Sequence, residues 1–216
     1  MDEKVEAFQR YSTSAISDAM DRLGLHGTCL GIAPLDPSFR LCGRAFTLQY
    51  RSIGYVERGN VGDYIDDVPE GDIVVLDNAG RLDATVWGNI LTEMSVRRNI
   101  GGTVIHGVCR DVDRSLELKY PIFSRSRFMR TGKDRVEVSG MNVPVSMGDV
   151  QVRPGDILRG DADGVVVVPK VHEGAILEAA AEVEKAEQAI LEMIRGGSRL
   201  DEARKQFAYH QLQTKR

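Results

Sequence analysis

Arg110 and Asp111 stand side by side, separated by four residues from the apolar run Thr103-Val104-Ile105. A cation and an anion at the end of a buried strand cannot both enter the core without heavy desolvation, so they belong in a strand-end crevice. There Arg110 is a fixed cation able to grip a carboxylate or stabilise an enolate oxygen, and Asp111 is a hard oxygen ligand suited to Mg²⁺. The bland alternative is an exposed ion pair worth about 0 to 1 kcal/mol. Upstream, Gly88 allows a tight turn, and Asn89, ahead of Ile90, Leu91 and Met94, is placed as a helix N-cap. Free amides at Ile90 and Leu91, reinforced by the helix dipole, would hold a substrate carboxylate or phosphate.

Other reactive side chains carry less. His106 lies inside a strand without partner spacing and reads as a satisfied, half-buried histidine. Cys109 adjoins Arg110 but has no histidine partner in sequence, so it reads as a small buried residue. Asp161, Asp163 and Gly164 fall short of a calcium loop in spacing and read as turn chemistry before a strand.

The elements that must position these groups follow from periodicity. Ser12-Thr13-Ser14 offers N-caps for a helix with Ile16, Ala19, Met20 and Leu23 on one face, stopped by Gly24. Arg44 to Arg51 alternates Phe46, Leu48 and Tyr50 with Thr47 and Gln49, which predicts a strand with one buried and one polar face. Val56 to Asp66 is weakly helical, and Ile73 to Leu76 is a central strand. The loops Asp77 to Asp83 and Gly107 to Asp113 then follow successive strands and are expected to share one pocket. Leu116 to Met147 predicts an antiparallel or mixed β section, with two further strand signals after Pro154-Gly155-Asp156. A long helix carries Ile176, Val183 and Ile190 seven apart, with Ala179, Ala186 and Met193 in the second seam. Gly196-Gly197 ends it, and a short helix follows from Leu200 to Tyr209.

The chain of 216 residues is the size of one domain, read as an α/β unit over residues 1–169 and a helical extension over 170–216. That extension is expected to pack on the domain or on a neighbouring subunit. Twenty-eight Lys plus Arg against thirty-two Asp plus Glu give a net charge of -4 with the signs interspersed, so nucleic acid is not an expected partner. With neither an apolar leader nor a membrane-length run, the expectation is a cytoplasmic protein without membrane association. Three cysteines without CxxC spacing predict reduced thiols.

With these residues in hand, the chain resembles the family that joins the regulator of ribonuclease activity A to the 4-hydroxy-4-methyl-2-oxoglutarate and 4-carboxy-4-hydroxy-2-oxoadipate aldolases. The likeness rests on Ser12 to Ala19, the Trp87-Gly88-Asn89-Ile90-Leu91 turn, Gly107 to Val112, and Pro154-Gly155-Asp156 through Asp161 to Pro169. It implies an α/β fold like the swivelling β/β/α domains, with a long carboxyl-terminal helix, assembled as a homotrimer or homohexamer with sites at subunit interfaces. The family's Gly-x3-Asp-x20-Arg-Asp motif is half kept: Arg110 and Asp111 match its end, while Asn89 stands for its Asp and Thr85 for its Gly. In the family the acidic member orients metal-bound water, a role Asn can fill only as a neutral hydrogen-bonding group.

The resemblance implies a lyase that splits a carbon-carbon bond of a small 2-oxo acid through a pyruvate enolate. Asp111 would hold Mg²⁺ or Mn²⁺, Arg110 would stabilise the enolate, and Gly88, Asn89, Ile90 and Leu91 would bind the substrate, bordered by Thr131 and Lys133. Glu184 or Glu187 would reach metal waters of the neighbouring subunit. Oxaloacetate decarboxylation is the implied side activity, and it needs no base. The alternative is a non-catalytic, protein-binding regulator.

Overall fold

In the computed structural model, which describes residues 2–54 and 61–207, the chain opens with α1 (Glu3–Phe8) and α2 (Thr13–Arg22). The Asp2 carboxylate caps α1 and the Ser12 hydroxyl caps α2. Sequence periodicity misses α1 because its six residues are too few to establish a period. Strands β1 (Ala33–Pro34) and β2 (Leu41–Ser52) follow, then a 3-10 turn at Asp63–Asp67. Residues 56–60 of the weakly helical stretch, and 208–209 of the last helix, lie outside the described residues. The middle of the chain supplies β3 (Ile73–Asp77), α3 (Asn89–Arg97), β4 (Gly102–Cys109), α4 (Val112–Glu117) and β5 (Ile122–Arg127). Next come β6 (Val136–Met141), β7 (Val145–Met147), β8 (Val150–Val152), β9 (Ile157–Asp161) and β10 (Gly164–Val168), and the helices α5 (Glu173–Arg195) and α6 (Leu200–Gln206) close the described chain.

One sheet runs β1-β5-β4-β3-β2-β9-β10, with β6 added on β2, and β7-β8 forms a separate ribbon. Strands β2 to β5 pair in parallel, whereas β6 and β9 lie antiparallel to β2. The ends of the path return towards each other: Thr28 bridges Val166, and a Cβ on Gly164 would sit 3.2 Å from the Ile32 carbonyl oxygen. The result is a mixed α/β domain around a nearly closed, barrel-like sheet, with α5 as the long carboxyl-terminal helix.

Every residue of β3 is buried because both of its faces are covered. Ile73 and Val75 join an interior cluster with Val104, Phe123, Leu158 and the ribbon residues Met147 and Val152. Val74 and Leu76 face the other way, into a layer with Ile105, Trp87 and Tyr120. The same double coverage corrects the expectation for β2, where Thr47 is fully buried and donates its hydroxyl to the Val143 carbonyl at 2.6 Å. Alternation predicted a solvated face there, and Gln49 is exposed accordingly, but the segment before β7 covers Thr47. A third cluster joins Phe8, Ile16 and Met20 to Ile157, Val166 and the α5 residues Ile176 and Ala180. Part of the seam on α5 is thus spent within this chain, on α2 and the sheet. The cysteines are free, and burial pushes the Cys29 and Cys42 thiols up to about 12. No helix among the described residues is long and apolar enough to cross a membrane.

Asp72, in the turn that opens β3, offers a test of how burial is balanced. Burial outweighs the nearby Arg44 and raises its carboxyl from 3.8 to about 6. The folded protein therefore keeps a proton that the unfolded chain loses between roughly pH 4 and 6, and stability falls as pH rises through that window. Asp72→Asn is expected to raise the thermal midpoint at pH 7 and to lose that gain below about pH 4; an equal shift at both pH values in calorimetry would refute this account.

Candidate functional site

The parallel register of β3 and β4 sets the site, because it brings Asp77 opposite His106 and places both strand ends on one rim. At that rim β4 shifts register between Ile105 and Val108, a bulge that re-aims the chain just before Arg110. Asp111 follows in the left-handed region, with φ of 56°, a conformation that Asp tolerates better than most residues. Asp111, expected to do chemistry, is thus one of several non-glycine residues held at positive φ.

Residues Thr85 to Gly88 run alongside this strand end and knit three segments together. Thr85 Oγ1 lies 2.8 Å from the Trp87 carbonyl and 3.0 Å from that of Val108, while its amide donates to the Arg130 carbonyl at 3.0 Å. The Arg110 amide in turn donates to the Trp87 carbonyl at 3.0 Å. Thr85 lines the cleft without obstructing it, since its side chain is folded into this seam. Gly132 supplies the clearance instead: a Cβ there would sit 2.3 Å from the Thr85 carbonyl oxygen. Trp87 stacks on Tyr120 and donates its indole N–H to Thr92 Oγ1 at 3.0 Å, which fixes α3 at its first turn.

One expectation changes at that turn. Gly88, not Asn89, is the N-cap residue, and Asn89 is the first residue of α3. No side chain caps α3 locally; the Asn89 amide donates to Asp111 Oδ2 at 3.0 Å. Asp111 therefore caps the helix from across the cleft, and the Asn89 side chain is left exposed. Gly88 matters for close approach, since its φ of -155° is open to any residue. A Cβ there would come within 2.8 Å of Asp111 Oδ2 and 3.3 Å of Arg110 Nε.

Around this junction lies a cleft of about 410 Å³, lined by Trp87 to Leu91, Arg110, and Thr131 to Lys133. Gly88, Asn89, Ile90, Leu91, Arg110, Thr131 and Lys133 are thereby brought together, with Asp111 at the edge beside Gly88. The Ile90 and Leu91 amides lie in the first turn, where a helix has no internal acceptors. Arg110 Nε is buried without a hydrogen-bond partner among the described residues, 3.6 Å from Asp111 Oδ2. Asp111 Oδ1 is the uncommitted hard oxygen that could hold a cation.

The loop Asp77 to Asp83 does not line this cleft. Asp77 is occupied with His106, at 3.3 Å, and with the Ser146 and Ala79 amides. Burial acts to raise the Asp77 carboxyl, but these bonds prevail and hold it below the usual range. His106 is half-buried and satisfied, as its position in the strand predicts. Burial raises the Cys109 thiol, in keeping with a small core residue. Asp161 accepts from the Thr13 amide and hydroxyl at 2.8 and 2.7 Å, which makes it turn and cap chemistry. Sequence reasoning misses the opposing wall, the 3-10 turn that contributes Asp63, Ile65 and Asp66. The signal in the sequence is the pair Tyr64-Ile65 flanked by acids, which the structure buries. Glu184 and Glu187 are not part of the cleft of their own chain. Glu187 lies near Asp18 of α2, and burial and then the charges of Asp18 and Glu184 raise its carboxyl.

A family profile described as RraA-like, Aldolase/RraA, matches residues 13–167. Protein DlpA of Legionella pneumophila is 37% identical over 202 residues, covering 93% of this chain but 33% of that protein, so the chain spans about a third of its length. A Halalkalibacterium halodurans protein named "Putative 4-hydroxy-4-methyl-2-oxoglutarate aldolase" is 34% identical across 86% of this chain and 85% of its own. The crystal structure of Streptomyces coelicolor RraAS2, described as an unusual member of the RNase ES inhibitor RraA protein family, superposes with a TM-score of 0.80. It is 27% identical and covers 87% of this chain and 95% of its own.

Gly88→Ala is expected to push Asp111 away from α3 while leaving the fold intact. Amide hydrogen exchange would show it as at least about tenfold faster exchange at Asn89, a loss of one hydrogen bond worth ~1 kcal/mol or more. Unchanged protection at Asn89 would mean that the helix is capped some other way.

Proposed function

The chain belongs to the RraA-like family, and from that premise we propose that it is a divalent-metal-dependent lyase that splits a small 2-oxo acid through a pyruvate enolate. The observation that carries the reading is the loose Arg110–Asp111 ion pair at the open end of α3, in which Arg110 Nε makes no hydrogen bond among the described residues and Asp111 is only half committed. A regulator acting by contact alone needs neither.

The donor set fits Mg²⁺ or Mn²⁺ held through one carboxylate oxygen, Asp111 Oδ1, with water and substrate oxygens completing the shell. Among the described residues no group of three His, Cys, Asp or Glu converges, so a soft or all-protein cage is not what this site offers. When bound, such an ion supplies Lewis-acid polarisation of the substrate's keto oxygen. The chain's own groups do the rest. The Ile90 and Leu91 amides, at the positive end of the α3 dipole, hold the substrate carboxylate. Arg110 offers a half-exposed guanidinium to the oxygen on which enolate charge develops, and its benefit grows as that charge grows. Thr131 and Lys133 border the opening, and the Lys133 amide is tied to Thr131 Oγ1 at 3.2 Å.

Asn89 decides which reaction runs well. In aldol cleavage the C4 hydroxyl must lose its proton as the C3–C4 bond breaks, and a neutral amide cannot take it, so water must. In oxaloacetate decarboxylation the C3–C4 bond breaks with loss of CO2, the electron pair passes to the enolate, and water protonates C3. No base is needed there. Assembly as a trimer or hexamer belongs to the same proposal; Glu184 and Glu187, lying outside their own chain's cleft, are free of any role in it and suited to a neighbour's.

Purified protein is expected to release pyruvate from oxaloacetate with Mg²⁺ or Mn²⁺ and to stop with chelator or as Asp111→Ala. Asn89→Asp is expected to raise cleavage of 4-hydroxy-4-methyl-2-oxoglutarate by about 10²-fold, the lower end of what a positioned base contributes. Turnover no greater than that of metal alone would end the lyase reading.

A further inference from the structure

Resting on the lyase reading, we infer that His106 is a positioning residue for Arg110: its imidazole, tied to Asp77, fixes the bulge of β4 from which Arg110 is aimed at the enolate oxygen. Up to Ile105 the strand pairs with β5 residue for residue, with Ile105 opposite Ser124, and pairing resumes with Val108 opposite Ser126. His106 and Gly107 therefore face Arg125 alone, one residue more on β4 than on β5. An extra residue of this kind bends its strand and increases the twist, so the course of the residues that follow depends on how firmly the bulge is held. Arg110 lies just beyond it.

The bulge is held by the loop that follows β3. The His106 carbonyl accepts the amides of Asn78 and Gly80 at 3.1 and 3.0 Å, and these turn back together because Ala79 and Gly80 take up left-handed backbone, with φ of 51° and 68°. The imidazole Nδ1 lies 3.3 Å from Asp77 Oδ1. Asp77 is anchored in turn, accepting the Ala79 amide on Oδ1 at 2.9 Å and the Ser146 amide of β7 on Oδ2 at 3.0 Å. An ionised carboxylate only accepts hydrogen bonds, so the proton of its contact with the imidazole sits on Nδ1. On the other side of the ring stands Gly80, where a Cβ would sit 2.9 Å from Nε2 and 2.6 Å from Arg125 Nη1. Arg125 Nη1 donates to the Gly80 carbonyl at 3.2 Å, so the residue opposite the bulge is fastened to the same loop. The carbonyl bonds fix the bulge at one point of the backbone. The imidazole adds a second point off the strand axis, which resists rotation of the bulge. Arg110 is the group that such a rotation disturbs most, because Asp111 is fastened across the cleft to the Asn89 amide, whereas Arg110 Nε makes no hydrogen bond among the described residues.

Oxaloacetate decarboxylation with Mg²⁺ in wild type, His106→Leu, His106→Gln and His106→Asn tests this. Leu removes the donor, Gln carries its amide where Nε2 was, and Asn carries it where Nδ1 was. Leu and Gln are expected to lower kcat about ten- to a hundredfold, the range that a displacement of up to ~1 Å commands, with KM changed less than about twofold. Asn is expected to recover most of that loss. Inhibition by oxalate, a flat dianion shaped like the enolate, and by pyruvate gives a readout that partial unfolding does not move, because inhibition constants do not depend on the amount of active protein. Leu and Gln are expected to lose about tenfold in affinity for oxalate relative to pyruvate, and either variant alone decides the matter. An unchanged relative affinity, or an Asn variant no better than the other two, overturns the inference and leaves the lyase reading standing. Wild-type protein that releases no more pyruvate than metal alone removes the premise and the inference together.

Discussion

A single hydrogen bond, from the Asn89 amide to Asp111 Oδ2 at 3.0 Å, joins the two halves of the site. One partner opens a helix and the other follows a strand, twenty-two residues apart in sequence. The bond exists because Gly88 has no Cβ to hold Asp111 away and because Asp111 accepts a left-handed backbone. It also has a chemical consequence: with Oδ2 engaged, Asp111 can present only Oδ1 outward, and its orientation is set before any ligand arrives. Preorganisation of this kind lowers the cost of binding a charged group.

The surrounding fold maintains that bond. Both faces of β3 and much of β2 are covered, so the strand ends have little freedom to shift. Thr85 ties the Trp87 turn to Val108 on one side and to Arg130 on the other, and Trp87 locks the first turn of α3 through Thr92. Arg110 is thus held with its Nε buried and without an acceptor.

The departure at Asn89 also makes sense in these terms. What the architecture takes from this residue is its backbone amide, which any residue but proline supplies; its side chain is exposed and bears no structural duty. Exchange of an acid for an amide at this position therefore does not loosen the frame of the cleft. Thr85 departs from the family motif just as quietly, because its hydroxyl is absorbed by carbonyls of the seam.

Local chemistry alone determined the helices at Thr13–Arg22 and Glu173–Arg195, the buried strand at Ile73–Asp77, and the placement of Arg110 and Asp111 at a strand end. Capping residues, heptad spacing and a short apolar run act over a few neighbours, so they are legible in the chain. The residues Gly88 to Leu91 could be nominated for the same reason. Only the tertiary structure decided that Asp111, and not Asn89, caps α3, that Thr47 lies in a covered face, and that the Asp77 loop is spent on His106. Those outcomes depend on which segments lie across from one another, and nothing in local propensity specifies a contact between residues far apart in sequence. The wall of Asp63, Ile65 and Asp66 is the clearest case: a single 3-10 turn carries too few residues for a period, and it becomes part of a cleft only because α3 packs against it.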